Sequence, residues 1–547
     1  MNKIETAIKD AINTVLLEEY NFDAKEEIIV EIPKDNTHGD YSTNIAMRIV
    51  KTLRKSPKDI ANNLADKLRN NSELFTEVSV AGPGFINFRV SQKLFSNVIS
   101  QVLNEKDNFG KNDSGNGLKI NVEYVSANPT GDLHPGHARG AAAGDSLTRL
   151  MKFSGYDVTR EFYLKDAGVQ IENMAKSLQI RYLNLFDIDV PFPEDGYHGQ
   201  DIIDIAKQLK EEVNDKYVSE NLDEYYSEFK RYGLQDETAK LKRDLDLFRV
   251  EFDVWTTESS IYKENKVTKA LDKVIASGHT YEKDGALWLK TTDFGDDKDR
   301  VLIKSDKTYT YLVPDIAYHQ DKFDRGFDQL VDLLGADHHG YINRLKAAIQ
   351  ILGYNKDQLE VDITQMAIML KDGEEFKMSK RTGQSISLRE LITEVGVDAL
   401  RYFYVDRAAD SPMQLDLDLA IKQSNENPVY YAQYAHARMC SILAQGEKYP
   451  KANDFSLINQ EKEIELLKHI NEFSNVIADA AKVRHPHKIS NYIQRLASLF
   501  HSFYGQHKVL DENNEELTSQ RLGLVLASKI TLANALKLIG VSAPESM

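Results

Sequence analysis

The hydrophobic positions near the start of the chain repeat at three- and four-residue intervals. Apolar side chains recur at Ile4, Ile8, Ile12 and Leu16, which is the stripe of an amphipathic helix that packs on its own domain. Further along residues 1–110, the runs EEIIVEI and EVSVAGPGFINFRV predict strands that alternate with helical segments. We therefore expect residues 1–110 to fold as an α+β domain.

A second domain is predicted over residues 115–400. The run 106–117 is crowded with Gly, Asn, Asp and Ser, as is typical of a linker. Strand-like and helix-like segments then alternate, which indicates a doubly wound parallel sheet of the Rossmann-like α/β type. The predicted strands include LKINVEYV, ALWLKT, RVLIKS, YTYLV, FDQLVDLLGA and VDITQMAIML. Charged helical segments around 170–300 are predicted to form an insertion over this domain.

The last part of the chain, residues 401–547, is dominated by helical periodicity. Examples are NPVYYAQYAHARMCSILAQ and RLGLVLASKITLANALKLIG. Long amphipathic segments with short connections predict an all-helical bundle.

Composition and charge narrow the function classes. The 547 residues are 41% hydrophobic with a net charge of −17, which fits a large globular protein and argues against non-specific nucleic-acid binding. A single cysteine, Cys440, excludes an internal disulfide and a cysteine-rich zinc site. No run approaches 18 apolar residues and the start lacks the features of a signal peptide. We expect a cytoplasmic protein without a membrane span or a structural metal.

The first segment that carries chemistry is VEYVSANPTGDLHPGHARGAAAGDSL. A strand, a glycine-containing loop and a helix follow one another, and the N-terminus of such a helix favours a phosphate. Gly136 lets a ligand approach the backbone, while His134 and His137 can donate hydrogen bonds to oxygens that gain charge during attack on phosphorus. A purely structural histidine pair and a zinc site are the alternatives.

The second such segment is FKMSKRTG, which contains Lys377 and Lys380 on a predicted loop between a strand and a helix. Two ammonium groups there can neutralise charge as pyrophosphate leaves. Taken alone, K-x-x-K is as readily a solvated basic turn. Its place after the H-x-G-H loop, in the last part of the same alternating domain, favours the catalytic interpretation.

The HPGH and KMSK motifs, in this order, resemble the two signature motifs of class I aminoacyl-tRNA synthetases. The segments EFYLKDAGVQ, TYLVPDIAYH, LLGADHHGYINRLKAA, DALRYF and APESM are similar to those of arginyl-tRNA synthetases within that class. The resemblance implies formation of arginyl-adenylate from arginine and magnesium-bound ATP, followed by transfer of arginine to tRNA. It places His134, His137, Lys377 and Lys380 in catalysis. It places ATP against Gly136, Met378 and Ser379.

An arginine site can also be argued from chemistry. A guanidinium group needs carboxylate acceptors and favours an aromatic face, which Glu123, Asp315 and Tyr311 can supply. The resemblance assigns these three to the arginine side chain and Asn128 to its α-amino group. It further suggests His338 and Gln170. A surface carboxylate for Asp315 and a core tyrosine for Tyr311 are the alternatives.

The resemblance implies tRNA contacts at both ends of the chain. It points to Phe85 and Asn87 in the first domain. In the helical domain it points to Tyr430, Tyr434 and Arg438, for which packing in the bundle core is the alternative. A monomer is expected. The rival functions are another class I synthetase, an H-x-G-H nucleotidyltransferase that does not use tRNA, and a catalytically silent tRNA-binding paralogue.

Overall fold

The computed structural model describes residues 2–33, 35–219, 221–376 and 386–547. The second motif, with Lys377, Met378, Ser379 and Lys380, lies outside the described residues. Among the helices within these ranges, none is long and apolar enough to cross a membrane.

The N-terminal domain is an antiparallel sheet covered by helices, as predicted. Its elements are α1 (Lys3–Tyr20), β1 (Val30–Glu31), β2 (Tyr41–Thr43), α2 (Ile45–Arg48), α3 (Val50–Leu53), α4 (Pro57–Leu68), β3 (Phe75–Ala81), β4 (Phe85–Val90) and α5 (Gln92–Glu105). The strand order is β1-β2-β4-β3. Helix α1 begins where the Asn2 side chain accepts hydrogen bonds from the backbone amides of Ile4 and Glu5, which satisfies two donors that a helix start leaves unpaired.

A parallel sheet forms the centre of the second domain. The elements up to the middle of this domain are β5 (Lys119–Glu123), α6 (Pro135–Phe153), β6 (Asp157–Leu164), α7 (Val169–Asn184), α8 (Gln200–Val213), α9 (Tyr226–Leu247), β7 (Val254–Thr257), α10 (Glu258–Lys263) and α11 (Lys266–Ala276). They are followed by β8 (Thr280–Lys283), β9 (Ala286–Leu289), β10 (Arg300–Ile303), α12 (Leu312–Asp324), β11 (Gln329–Gly335), α13 (Ile342–Ile351), β12 (Leu359–Thr364), β13 (Ala367–Lys371), β14 (Glu374–Glu375), α14 (Leu388–Val395), α15 (Val397–Val405), β15 (Met413–Asp416) and α16 (Leu417–Ile421).

The order of the five parallel strands is β12-β11-β5-β6-β7. From β5 the chain crosses over to β6 on one side, and from β11 it crosses over to β12 on the other. The two neighbouring strands β5 and β11 therefore form a topological switch point, where a crevice opens at the carboxyl ends of the strands. This arrangement confirms the predicted Rossmann-like class and locates the place for a ligand.

The segment expected to be a helical insertion, 170–300, is not helical throughout. Helices α7, α8 and α9 do form such a layer, but the chain then returns to the sheet as β7, which pairs with β6. The run after β7 includes the antiparallel sheet β10-β9-β8. Strand β7 was not predicted. It has only four residues, all partly buried, so its sequence shows neither an alternation of apolar and polar residues nor a long apolar run.

Two predicted strands are also revised. In YTYLV only Tyr309 pairs, through an isolated bridge to Ile303, and α12 begins at Leu312. Pro314 explains the change, because proline lacks the amide that a strand needs and is tolerated in the first turn of a helix. The run VDITQMAIML is two strands, since β12 pairs with β11 whereas β13 pairs with β15.

The C-terminal domain is a helical bundle, as predicted. Its helices are α17 (Pro428–Gln445), α18 (Glu461–Asn471), α19 (Phe473–Lys482), α20 (His487–Gln506) and α21 (Glu515–Leu538). The expected boundary at 400/401 falls inside α15, and strand β15 lies within the part that was expected to be all-helical. The long helices of the bundle follow from Pro428 onward. Buried side chains from all three domains join in one hydrophobic cluster.

Candidate active site

The loop after β5 has an unusual backbone. Val125 and Ser126 have φ angles of 68° and 40°, and a positive φ is costly for a β-branched residue such as valine. The Ser126 hydroxyl donates to Glu123 Oε1 at 2.8 Å and accepts from the Tyr163 amide at 3.1 Å. This conformation turns the chain sharply at the switch point and holds it against β6.

The two histidines of the HPGH motif lie together at the start of α6. Their rings stack with centroids 3.7 Å apart. His134 Nδ1 accepts from the Gly136 amide at 3.0 Å, and His137 Nδ1 faces the His134 amide at 3.4 Å. A Cβ on Gly136 would approach both the His134 ring and the Met366 sulfur to 2.9 Å, so this position has room for glycine alone.

Both histidines are neutral at physiological pH. Burial, with a smaller contribution from the neighbouring ring, lowers the pKa of His137 to about 3, and burial likewise lowers the pKa of His134. Since each Nδ1 faces a backbone N–H, the proton of each neutral ring resides on Nε2. The pair therefore presents two Nε2–H donors rather than two positive charges.

A cavity of about 490 Å³ opens at the switch point. All six residues expected to bind arginine line it: Glu123, Asn128, Gln170, Tyr311, Asp315 and His338. They come from the β5 end, the loop that follows it, the start of α7, the start of α12 and the 3-10 turn after β11. The structure therefore brings together side chains that are up to 215 positions apart, from 123 to 338.

Several of these side chains already contact one another or their neighbours. Asn128 Nδ2 donates to Gln170 Oε1 at 2.6 Å, and the Tyr341 hydroxyl donates to an oxygen of Asp315. Tyr311 is 84% exposed, so it stands at the mouth of the cavity and is not a core tyrosine. The Tyr311 ring is thus placed to cover a ligand rather than to support the fold.

Sequence reasoning missed other residues that line the same cavity, among them Tyr163, Glu258, Tyr318 and Tyr341. Burial and the nearby Asp315 raise the pKa of Glu258. The hydroxyls of Tyr163 and Tyr318 are buried, and neither has a hydrogen-bond partner within the described part of the chain. A usable signal existed for Glu258, which directly follows β7 at the carboxyl edge of the sheet, but β7 itself was not predicted.

The residues that follow the KMSK motif pack against the histidine loop. Ile386 and Ser387 share a second cavity, of about 350 Å³, with His134. The Leu388 amide donates to the Leu133 carbonyl at 2.6 Å. The first described residues after this motif therefore contact the loop that carries the histidine pair.

The candidates for tRNA contact differ in exposure. Phe85 is 40% exposed at the start of β4, next to the β3–β4 turn. Asn87 lies two residues further in β4 and is buried, since β4 is flanked by β2 and β3. That either residue contacts tRNA stays a prediction.

The expected residues of the helical domain form an aromatic row along α17. The rings of Tyr430 and Tyr434 stack 6.0 Å apart, and Arg438 donates to the Tyr434 hydroxyl at 2.7 Å. The Arg438 guanidinium also lies over the ring of Tyr504. All three α17 side chains are half-buried, so they belong to the outer face of the bundle and not to its core.

Among the described residues, the zinc alternative for the histidine loop finds no third ligand. Within residues 2–33, 35–219, 221–376 and 386–547, no group of three or more His, Cys, Asp or Glu side chains is placed to hold a metal ion. The hydrogen bonds at both Nδ1 atoms instead explain the orientation of His134 and His137.

Comparison with known families gives a consistent assignment. The model of the class I (R) tRNA synthetase catalytic domain matches residues 98–405. The arginyl-tRNA synthetase N-terminal domain matches residues 2–90, and the DALR anticodon-binding domain matches residues 432–547.

Similar proteins span the chain. It is 54% identical to the arginine–tRNA ligase of Bacillus subtilis strain 168 over 524 residues, which is 95% of this chain and 94% of that one. A crystal structure from Campylobacter jejuni described as an arginyl-tRNA synthetase superposes with a TM-score of 0.78 at 34% identity, covering 84% of this chain and 100% of that one. The Thermus thermophilus arginyl-tRNA synthetase shares the fold, with a TM-score of 0.75 at 21% identity and coverage of 99% and 100%. The chain therefore belongs to the arginine–tRNA ligases, the arginyl-tRNA synthetases of class I.

Proposed function

We propose that this protein attaches L-arginine to the tRNA for arginine, with ATP as the second substrate and arginyl-adenylate as the intermediate. The observation that carries the proposal is the cavity at the switch point, where carboxylates and tyrosines converge. The histidine pair stands at the start of α6, the helix that follows β5. Family membership supports the same activity.

The cavity matches the chemistry of arginine. A guanidinium group has five N–H donors in a plane, and Asp315 and Glu258 offer carboxylate oxygens from two different elements. The hydroxyls of Tyr163 and Tyr318, which have no hydrogen-bond partner in the described part of the chain, are further acceptors. The side-chain nitrogen of Asn128 donates to Gln170. The carbonyl oxygen of the same amide can therefore accept a hydrogen bond from the α-ammonium group of arginine.

Adenylate formation then needs positioning and charge stabilisation rather than a protein nucleophile. A carboxylate oxygen of arginine attacks the α-phosphorus of ATP, the new P–O bond forms, and the bond to the bridging oxygen breaks as magnesium-bound pyrophosphate leaves. We assign the Nε2–H groups of His134 and His137 to the α-phosphate oxygens. Mg²⁺ enters with ATP as part of the substrate.

The remaining site residues complete this proposal. Lys377 and Lys380 are assigned to the departing phosphates, and ATP is assigned to Gly136, Met378 and Ser379. In the second step a hydroxyl of the terminal ribose of tRNA attacks the adenylate carbonyl, and AMP leaves. The exposed Phe85, the buried Asn87 and the Tyr430–Tyr434–Arg438 row are assigned to tRNA. The working unit is proposed to be a monomer.

The direct test is a charging assay with purified protein, ATP, matched tRNA and labelled arginine, run beside labelled lysine and cysteine. We expect arginine, and neither control amino acid, to become attached to tRNA. Charging of lysine at a comparable rate would contradict the proposal. Pyrophosphate release without any attachment to tRNA would instead favour a nucleotidyltransferase.

A further inference from the structure

A network of buried charges lies directly beneath the cavity. Lys322, in α12, is fully buried, and its ammonium group donates to Glu123 Oε2 at 2.6 Å and to Asp332 Oδ1 at 3.0 Å. Asp332 lies in β11 and is 2% exposed. A lysine of this kind is retained only where its charge is fully paired, and both of its partners line the cavity.

The register of the sheet explains why a cation is needed here. Glu123 and Asp332 are paired neighbours on the parallel strands β5 and β11, so their side chains lie on the same face of the sheet. Two adjacent buried carboxylates repel each other, and one of them would take up a proton. Lys322 reaches down from α12 between them, so that one ammonium group pairs with both carboxylates and fixes where each of them points.

His319 extends the network to the other acidic side of the cavity. Its Nε2 lies 2.8 Å from Asp332 Oδ2, and its Nδ1 lies 2.8 Å from the carbonyl oxygen of Asp315. Because both ring nitrogens face acceptors, the ring fits best as a doubly protonated imidazolium. The cluster then contains two carboxylates and two cations, and it is neutral.

We propose that Lys322, Asp332 and His319 are positioning residues for arginine: they hold the Glu123 carboxylate and the Asp315 backbone in the geometry that receives the guanidinium group. This inference rests on the proposed function. It divides the acidic residues of the cavity into two kinds. The charge of Glu123 is balanced within the network, so the carboxylates left to attract arginine are Asp315 and Glu258, beside which the cavity lining carries a cation, Lys165.

The test compares steady-state charging kinetics of Lys322→Met and His319→Gln with those of the unaltered protein. Lys322→Met removes the cation between the two carboxylates, while His319→Gln keeps a donor towards Asp332 but removes the charge. We expect the KM for arginine to rise at least about tenfold in Lys322→Met and at least about threefold in His319→Gln, because the acceptors of the guanidinium group lose their fixed orientation. The KM for ATP is expected to stay within twofold.

Arg325→Met is the matched control. Arg325 directly follows the end of α12 and also pairs with a buried sheet carboxylate, Glu161, at 2.8 Å, but neither residue lines the cavity. We expect this variant to lose stability while keeping both KM values within twofold. Thermal unfolding followed by circular dichroism establishes which variants are folded, and if Lys322→Met is not, His319→Gln decides alone.

Two results would overturn the inference. One is an unchanged KM for arginine in folded His319→Gln and Lys322→Met. The other is an equal rise of both KM values, as general damage would produce. Failure of the unaltered protein to charge arginine would instead refute the proposed function, so the two failures are distinguishable.

Discussion

At the scale of single residues, His137 shows how burial determines chemistry. Its pKa of about 3 results first from burial and second from the stacked His134. The ring is therefore a neutral donor over the whole pH range in which the protein is expected to work. A neutral donor can hydrogen-bond a phosphate oxygen as charge develops without repelling Mg²⁺ in the same substrate.

Replacement of His137 by alanine tests this assignment. We expect kcat for charging to fall about a hundredfold or more, as for removal of single donors from oxyanion sites, while the KM for arginine changes less than threefold. His339→Ala is the control, because His339 is exposed on the 3-10 turn after β11. Equal kcat values for the two variants would show that the histidine pair does not act in the chemical step.

The pKa of His137 also predicts a pH dependence of stability. Below pH 6.5 the unfolded chain binds a proton at this residue, whereas the folded protein does not until about pH 3. The stabilisation is therefore present above pH 6.5 and is lost as the pH falls from there towards 3. Between pH 7 and pH 5, the midpoint temperature of thermal unfolding is expected to fall less steeply in His137→Gln than in the unaltered protein. Parallel curves would contradict this assignment.

The proposed arginine site was predictable from sequence only where a motif marks a residue. Glu123 and Asn128 stand in or beside the first motif, and Tyr311 and Asp315 are four residues apart at the start of a helix. Lys322 and Glu258 carry no such mark. Their roles depend on the register of α12 over the sheet and on β7 being a strand, and neither is visible in local periodicity.

At the scale of elements, α6 lies unusually close to the sheet. A Cβ on Gly144 would come within 2.4 Å of the Tyr124 ring, whereas a Cβ on Gly140, one turn earlier, would meet nothing within 4 Å. Packing therefore requires glycine at position 144 but not at position 140. The close approach fixes the position of α6, and of the two histidines at its N-terminus, relative to the sheet.

This contrast gives a matched pair of substitutions. Gly140→Ala is expected to stabilise the protein by up to about 1 kcal/mol, since alanine is the better helix former. Gly144→Ala is expected to destabilise it by about 1–3 kcal/mol, as overpacking does, and to lower kcat by displacing α6. Thermal unfolding and charging rates measure both effects. A stabilising Gly144→Ala would contradict the described packing of α6 on β5.

Long, periodic elements were the ones that sequence predicted well, among them α1, the β3–β4 pair and the helices of the bundle. The failures occurred where tertiary structure decides. The run VDITQMAIML divides between two sheets at Gln365, whose carbonyl accepts from the buried Arg139 and whose amide donates to Ala409. Those partners are distant in sequence, so no local pattern could reveal the break.

At the scale of the whole molecule, the first and last domains meet through a polar cluster. Asn2 and Asn475 donate to the carboxylate of Glu472, and Asn475 also donates to Glu5. Burial and the neighbouring Glu5 raise the pKa of Glu472 to about 7. This contact joins the first and last domains, both of which are predicted to bind tRNA. Because the pKa of Glu472 is raised, the strength of the contact depends on pH.

The sign of that dependence follows from the raised pKa. Below pH 4.5 Glu472 is protonated in both states, and as the pH rises towards 7 only the folded protein retains the proton, so stability is lost. Glu472→Gln is expected to raise the thermal unfolding midpoint at pH 8, by the equivalent of about 3 kcal/mol, and to change it little at pH 4.5. Glu461→Gln, at an exposed position of α18, is the control. A gain that is equal at both pH values would contradict the account.

We propose above all that the cavity at the switch point holds the guanidinium group of arginine. Asp315 and Glu258 supply the negative charge that attracts this group. The most direct test is the KM for arginine in charging by Asp315→Asn and Glu258→Gln, beside Glu264→Gln, which alters the exposed carboxylate after α10. We predict a rise of at least about tenfold in the first two variants and none in the third. Wild-type KM values in both cavity variants would contradict the claim.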